Sequence, residues 1–258
     1  MSRYINYIFL GVATVSAIIL RTVMYFFIID LDSGFIRNEN LGVAIFIIVI
    51  LLLAAAVVCF FGANSETQKP QKPSFKGLFA RIVSLLLGIA MMIAAFMPSL
   101  IPIWQKGLES LLSLAFGLCL IFYALKNFIK IKLPDLLCVI PVVYWLIKLV
   151  NLFTTYSALS NTFDNIFEIF TLCSVLYFFL SLAKGICLEP NEKSVKTLNA
   201  SAYLASFMAL ACSVPKAIIV LTNNQSILGD NKSFLILLLT GVYILTFILE
   251  NNTKKPQI

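Results

Sequence analysis

The sequence predicts an all-α, polytopic integral membrane protein, a helix bundle of about eight transmembrane helices with the N and C termini cytoplasmic. Three observations carry that expectation. Sixty per cent of the 258 residues are hydrophobic and the mean hydropathy is +0.98, well above the roughly 45–50% apolar content of soluble domains. The apolar residues fall into eight runs, each close to the roughly 20 residues that a span requires. The basic residues between those runs alternate from loop to loop. No polar stretch is long enough to hold a soluble domain, so one transmembrane domain is expected over 1–258.

The first segment, about 5–29, follows a short start carrying Arg3. Its apolar run is too long for a signal peptide and no A-x-A-like cleavage site follows it, so an uncleaved helix is expected. The second, about 41–62, has no polar side chain except a thiol and should face lipid. Residues 63–76, ANSETQKPQKPSFK, combine two prolines with three lysines and read as a solvated loop. The third segment, about 78–104, carries Pro98 and Pro102 near its far end, where they should kink or stop it. The fourth, about 108–125, opens with Glu109 and leads into a basic connection, Lys126 to Pro134. The fifth and sixth, about 135–156 and 162–187, form a hairpin turning near Ser157–Ser160. After the polar stretch 188–196, the seventh runs about 197–222 with Pro215 and Lys216 side by side. The eighth, about 233–249, is followed by a polar tail.

Basic residues test the count and the orientation, because Lys and Arg collect in cytoplasmic loops. With the N-terminus inside, the inner segments hold Arg3, Lys69, Lys72, Lys76, Arg81, Lys126, Lys130, Lys132, Lys184, Lys193, Lys196, Lys254 and Lys255. The outer segments hold only Arg37, Lys106 and Lys232. A wrong helix count would shift the parity of every later loop and destroy that bias. The net charge of +7 therefore belongs to membrane insertion and not to a nucleic-acid groove.

The sequence contains no histidine. That excludes His-based acid–base chemistry, Ser-His and Cys-His nucleophile pairs and H-E-x-x-H zinc sites. There is no nucleotide-binding motif. The six cysteines lie in or at the ends of apolar runs without C-x-x-C spacing, which reads as packing and not as a disulfide or metal framework. No catalytic activity, cofactor or metal is expected.

Four ionisable residues lie inside apolar runs: Arg21, Lys148, Glu168 and Lys216. Such residues are costly in a bilayer and mark functional sites by default. At 1.5 Å per residue, Arg21 lies about 24 Å, Lys148 about 18 Å and Lys216 about 28 Å from the inner boundary. Glu168 lies about 9 Å below the outer one, in a core about 30 Å thick. All four fall in the outer half, with Asp30, Asp32, Glu109 and Asp164 at the outer rim. Lys148 and Glu168 stand ten residues either side of position 158, so an antiparallel hairpin predicts that they pair. Asn151 and Asn165 lie seven residues either side of it. Tyr144, Lys148 and Asn151 share one helix face at i, i+4, i+7 spacing, and Trp145 adds an aromatic wall. These eight residues form the candidate ligand site.

Two roles from different classes fit this pattern. One is a transporter or substrate-binding membrane subunit, with an outward-facing polar pocket for a small anionic or amphipathic molecule and a membrane or cytoplasmic protein partner to drive it. The other is a non-catalytic sensor, assembly or regulatory subunit. The partners expected are the lipid bilayer, a small anionic ligand and a membrane or cytoplasmic protein, with no nucleic acid, and the cell membrane is the expected location. Snorkelling of Arg21 and Lys216 to the interface, or a purely structural Lys148–Glu168 pair, are the competing expectations. A retinal Schiff-base lysine is excluded at Lys216, because the third segment offers no carboxylate counter-ion.

Overall fold

The computed structural model of the protein describes residues 3–29, 36, 40–64, 73, 77–96, 103–129, 135–156, 163–188, 191–223 and 231–253. Eight α-helices follow in order: α1 (Arg3–Val23), α2 (Leu41–Ala63), α3 (Leu78–Phe96), α4 (Ile103–Ile129), α5 (Val139–Tyr156), α6 (Phe163–Cys187), α7 (Glu192–Asn223) and α8 (Asn231–Thr253). A π-helical turn, Met24–Ile28, continues α1, and a 3-10 turn, Asp135–Cys138, leads into α5. Seven of these helices are long and apolar enough to cross a membrane; α5, with a shorter apolar stretch at Val139–Thr154, is the exception. The molecule is an all-α membrane bundle.

Alternation of side chains around α1 gives it an inner and an outer face. Asn6, Leu10, Thr14, Ala17, Arg21 and Tyr25 recur at helical spacing and are buried. Ile5, Ile8, Val12, Val15 and Ile19 point outward and are exposed. A continuous apolar surface of this kind would be a liability in water and is the solvated surface of a helix in lipid.

The most enclosed helix is α7, which packs against α1, α2, α6 and α8. Small residues allow this: Ala202, Ala205, Ser206, Ala209, Ala211 and Ser213 are all buried along it. Their hydroxyls return to the helix itself, Ser206 to Tyr203 O at 3.2 Å and Ser213 to Ala209 O at 2.6 Å. No buried hydroxyl there needs a partner on another helix.

The α3–α4 pair is built the same way. Ser84 and Gly88 on α3 face Ser113 and Gly117 on α4, a small-xxx-small pattern on both helices. Ser84 Oγ donates to Leu120 O at 3.1 Å and Ser113 Oγ to Met91 O at 2.8 Å. A Cβ added to Gly117 would sit 2.7 Å from Gly88 O, and one added to Gly88 would sit 2.9 Å from Gly117 O. Two backbones meet there with no room for a methyl group.

Interhelical contacts fix the direction of each helix. Phe9 lies against Phe61 with the rings tilted, Gly62 abuts Tyr203 and Gly185 abuts Leu198, and Tyr123 meets Cys138. The Glu250 carboxylate lies against Gly77. Successive helices are therefore antiparallel, and the start of α1 and the end of α8 share one end of the bundle.

The bounds of α4 and α7 differ from the sequence expectation. α4 starts at Ile103 and not at 108, and runs on to Ile129 and not 125. The described part of α3 ends at Phe96. Pro98 and Pro102 themselves lie outside the described residues, as do the turn residues Ser157–Ser160. α7 starts at Glu192, not at 197. Asn191 caps it: Ser194 N donates to Asn191 Oδ1 at 2.7 Å, and Asn191 N donates to Ser194 Oγ at 3.0 Å. This reciprocal cap holds a polar first turn that hydropathy alone assigns to the loop.

Candidate functional site

All four intramembrane ionisable residues lie toward the bundle end opposite the termini. Lys216 precedes the end of α7 by seven residues, and Glu168 follows the start of α6 by five. Lys216 Nζ donates to Glu168 Oε2 at 2.7 Å, with the two side chains 6% and 9% exposed. Lys148 pairs elsewhere. Its Nζ lies 3.4 Å from Glu109 Oε1 on α4, with side chains 12% and 17% exposed. Asn151 Nδ2 donates to the other oxygen, Glu109 Oε2, at 3.0 Å.

The expected Lys148–Glu168 pair across the α5–α6 hairpin is thus corrected to two pairs, α6–α7 and α4–α5. Equal distance from the turn does not select these pairs: Glu168 stands nineteen residues before the end of α6 and Lys216 twenty-four after the start of α7, and Glu109 stands twenty before the end of α4 and Lys148 nine after the start of α5. Which hairpin wins depends on where each side chain points around its helix. The face shared by Tyr144, Lys148 and Asn151 is turned to α4. Glu109 is also deeper than its rim assignment, because α4 begins at Ile103.

Arg21 is fully buried. It belongs to the α1 face that meets α7, and its guanidinium carbon lies 4.2 Å from the Phe167 ring centroid and 5.0 Å from that of Tyr25. Nη2 also donates to Tyr25 Oη at 3.1 Å. A desolvated cation–π contact contributes about 2 kcal/mol or more, so the rings help to hold a charge away from water. Phe167 precedes Glu168 on α6, so Arg21 meets the same turn of α6 whose Glu168 holds Lys216. Neither cation snorkels.

Sequence reasoning missed Tyr25 and Phe167. Tyr25 was detectable, since it stands at i+4 from Arg21. The π-turn after Arg21 closes with Ile29 N donating to Met24 O at 2.8 Å, and such turns recur at functional positions.

Tyr144 and Trp145 are buried in an aromatic cluster. Tyr144 lies 5.5 Å from Phe116, and Trp145 stacks on Phe179 at 6.3 Å. Tyr144 also lies within electrostatic reach of Lys148 and Glu109. Trp145 does not reach the Arg21 cluster through any of these ring contacts. Asn165 falls on the first turn of α6, and its side chain lies outside the described residues.

The arrangement sets the Glu168 carboxylate against Lys216 and the Arg21 guanidinium against the Phe167 and Tyr25 rings. Its class is a polytopic α-helical membrane protein with ion pairs buried between its helices. No protein-family model, curated protein or solved structure matches the chain.

Proposed function

We propose that this protein is a transport or substrate-binding protein of the cell membrane, taking a small oxyanion from the side opposite its termini. One observation supports this reading above others. Arg21 and Lys216, on different helices, are both buried in the bundle, although each is close enough to a helix end to reach the interface. A bundle seldom keeps two cations so placed unless something negative is to meet them. Glu168 holds Lys216, and an incoming oxyanion competes for the two cations with the groups that hold them in the unliganded bundle. The Glu109–Lys148–Asn151 group is a second, neutral set that fixes α4 against α5.

The test is thermal stability of the purified protein at fixed ionic strength. Sodium benzoate, inorganic phosphate, sulfate and anionic phosphatidylglycerol are added separately, with phosphatidylcholine as control. A ligand that binds only the folded state raises stability by linkage. At least one probe should stabilise the wild type, and the gain should vanish in Arg21→Gln and in Lys216→Gln. Equal gains in all three proteins, or none in any, would sink the proposal.

A further inference from the structure

We infer that the end of the bundle carrying both termini binds anionic phospholipid head groups, through Lys184, Lys193 and Lys196 at the tip of the α6–α7 hairpin. This surface lies at the opposite end from Arg21 and Lys216 and does not depend on the oxyanion reading. Charge is divided unevenly between the two ends. The tails, connections and helix ends at the terminal end hold thirteen basic residues against five acidic ones, Glu66, Asp135, Glu189, Glu192 and Glu250. The rest of the chain holds six basic residues against seven acidic. Every carboxylate side chain of the sequence is in that count.

Helix length sets the height of these lysines. α7 has 32 residues, about 48 Å at 1.5 Å per residue, against a hydrocarbon core of about 30 Å. Its surplus projects beyond the core, and its polar first two turns carry Lys193 and Lys196, both exposed. Lys184 is exposed in the last turn of α6, next to Gly185, which packs against Leu198 of α7 and against Pro73. None of the three forms an ion pair with a described residue. Lys193 and Lys196 do not serve their own helix either, because cations at its start meet the positive end of the dipole. Leu188, 55% exposed, follows α6 at the same tip. A lipid offers an anionic head to the lysines and an acyl chain to the leucine, whereas a nucleic acid or an acidic peptide answers only the charge. Each basic side chain near an anionic bilayer strengthens binding about fivefold.

The full-length protein in a neutral detergent is titrated with phosphatidylglycerol or phosphatidylcholine of equal chain length, and thermal stabilisation gives the apparent affinity of each. Glycerol 3-phosphate and polyglutamate are separate arms. The wild type should bind phosphatidylglycerol at least about tenfold more tightly than phosphatidylcholine. Lys184→Gln/Lys193→Gln/Lys196→Gln should lose that preference, and Lys193→Gln alone should lose about fivefold of it. Arg21→Gln and the opposite-end double Lys106→Gln/Lys232→Gln should keep it. A preference lost in Arg21→Gln instead assigns the lipid to the oxyanion site and overturns the inference. No preference in the wild type, an unchanged one in the triple variant, or an equal loss in the opposite-end double also overturns it. Tighter binding of glycerol 3-phosphate or of polyglutamate than of phosphatidylglycerol does the same, reassigning the surface to a free phosphate or to an acidic protein.

Discussion

Breaking the Lys216–Glu168 pair is the sharpest perturbation the fold offers. The pair spans 2.7 Å between α6 and α7 with side chains 6% and 9% exposed. Removing one member of such a pair strands a charge and costs about 3–5 kcal/mol, whereas replacing both members with apolar or neutral residues costs far less. Lys148–Glu109 spans 3.4 Å at 12% and 17% exposure. Its coupling should be smaller, about 1 kcal/mol, closer to the range of pairs that solvent reaches. The assay is a double-mutant cycle read by denaturant unfolding in one fixed detergent. Its variants are Lys216→Met, Glu168→Gln, Lys148→Met and Glu109→Gln, with the two matched doubles and the crossed double Lys148→Met/Glu168→Gln. The double at 168 and 216 should be more stable than either of its singles, and the crossed double should be close to additive. The largest coupling appearing in the crossed cycle would refute the pairing and restore the hairpin register.

Two further outcomes follow from packing and orientation. Gly117→Ala should destabilise by about 1–3 kcal/mol, because the methyl group meets Gly88 O at 2.7 Å. Gly11→Ala, with nothing within 4 Å of the added Cβ, should be neutral or stabilising by up to about 1 kcal/mol; equal losses in the two would contradict the tight α3–α4 crossing. With cytoplasmic termini, Ser65→Cys and Asn191→Cys should resist an impermeant thiol reagent in intact cells and react after permeabilisation. Reaction from outside at either site would invert the topology.

Hydropathy made the helices legible, because an apolar run of this length has few other folds available to it. Counting along the helices put Glu168 and Lys216 toward the same end of the bundle, where they meet at 2.7 Å. Rotation about the helix axis was not legible. It decides that Lys148 faces α4 and Glu168 faces α7, and it depends on packing, such as the small residues of α7, which hydropathy does not weigh. The aromatic clamp on Arg21 was half legible: Tyr25 follows from spacing within α1, but Phe167 comes from another helix. The start of α7 was missed although its signal, Asn191 with Ser194 three residues on, stands in the sequence.

Access to position 216 tests the central claim most directly. Lys216→Cys, in a background with the six native cysteines replaced by serine or alanine, is exposed in intact cells to a small anionic methanethiosulfonate. An anion site open to the side opposite the termini predicts modification from outside. No modification from outside would mean that Lys216 and Glu168 form a closed structural pair and that no anion enters there.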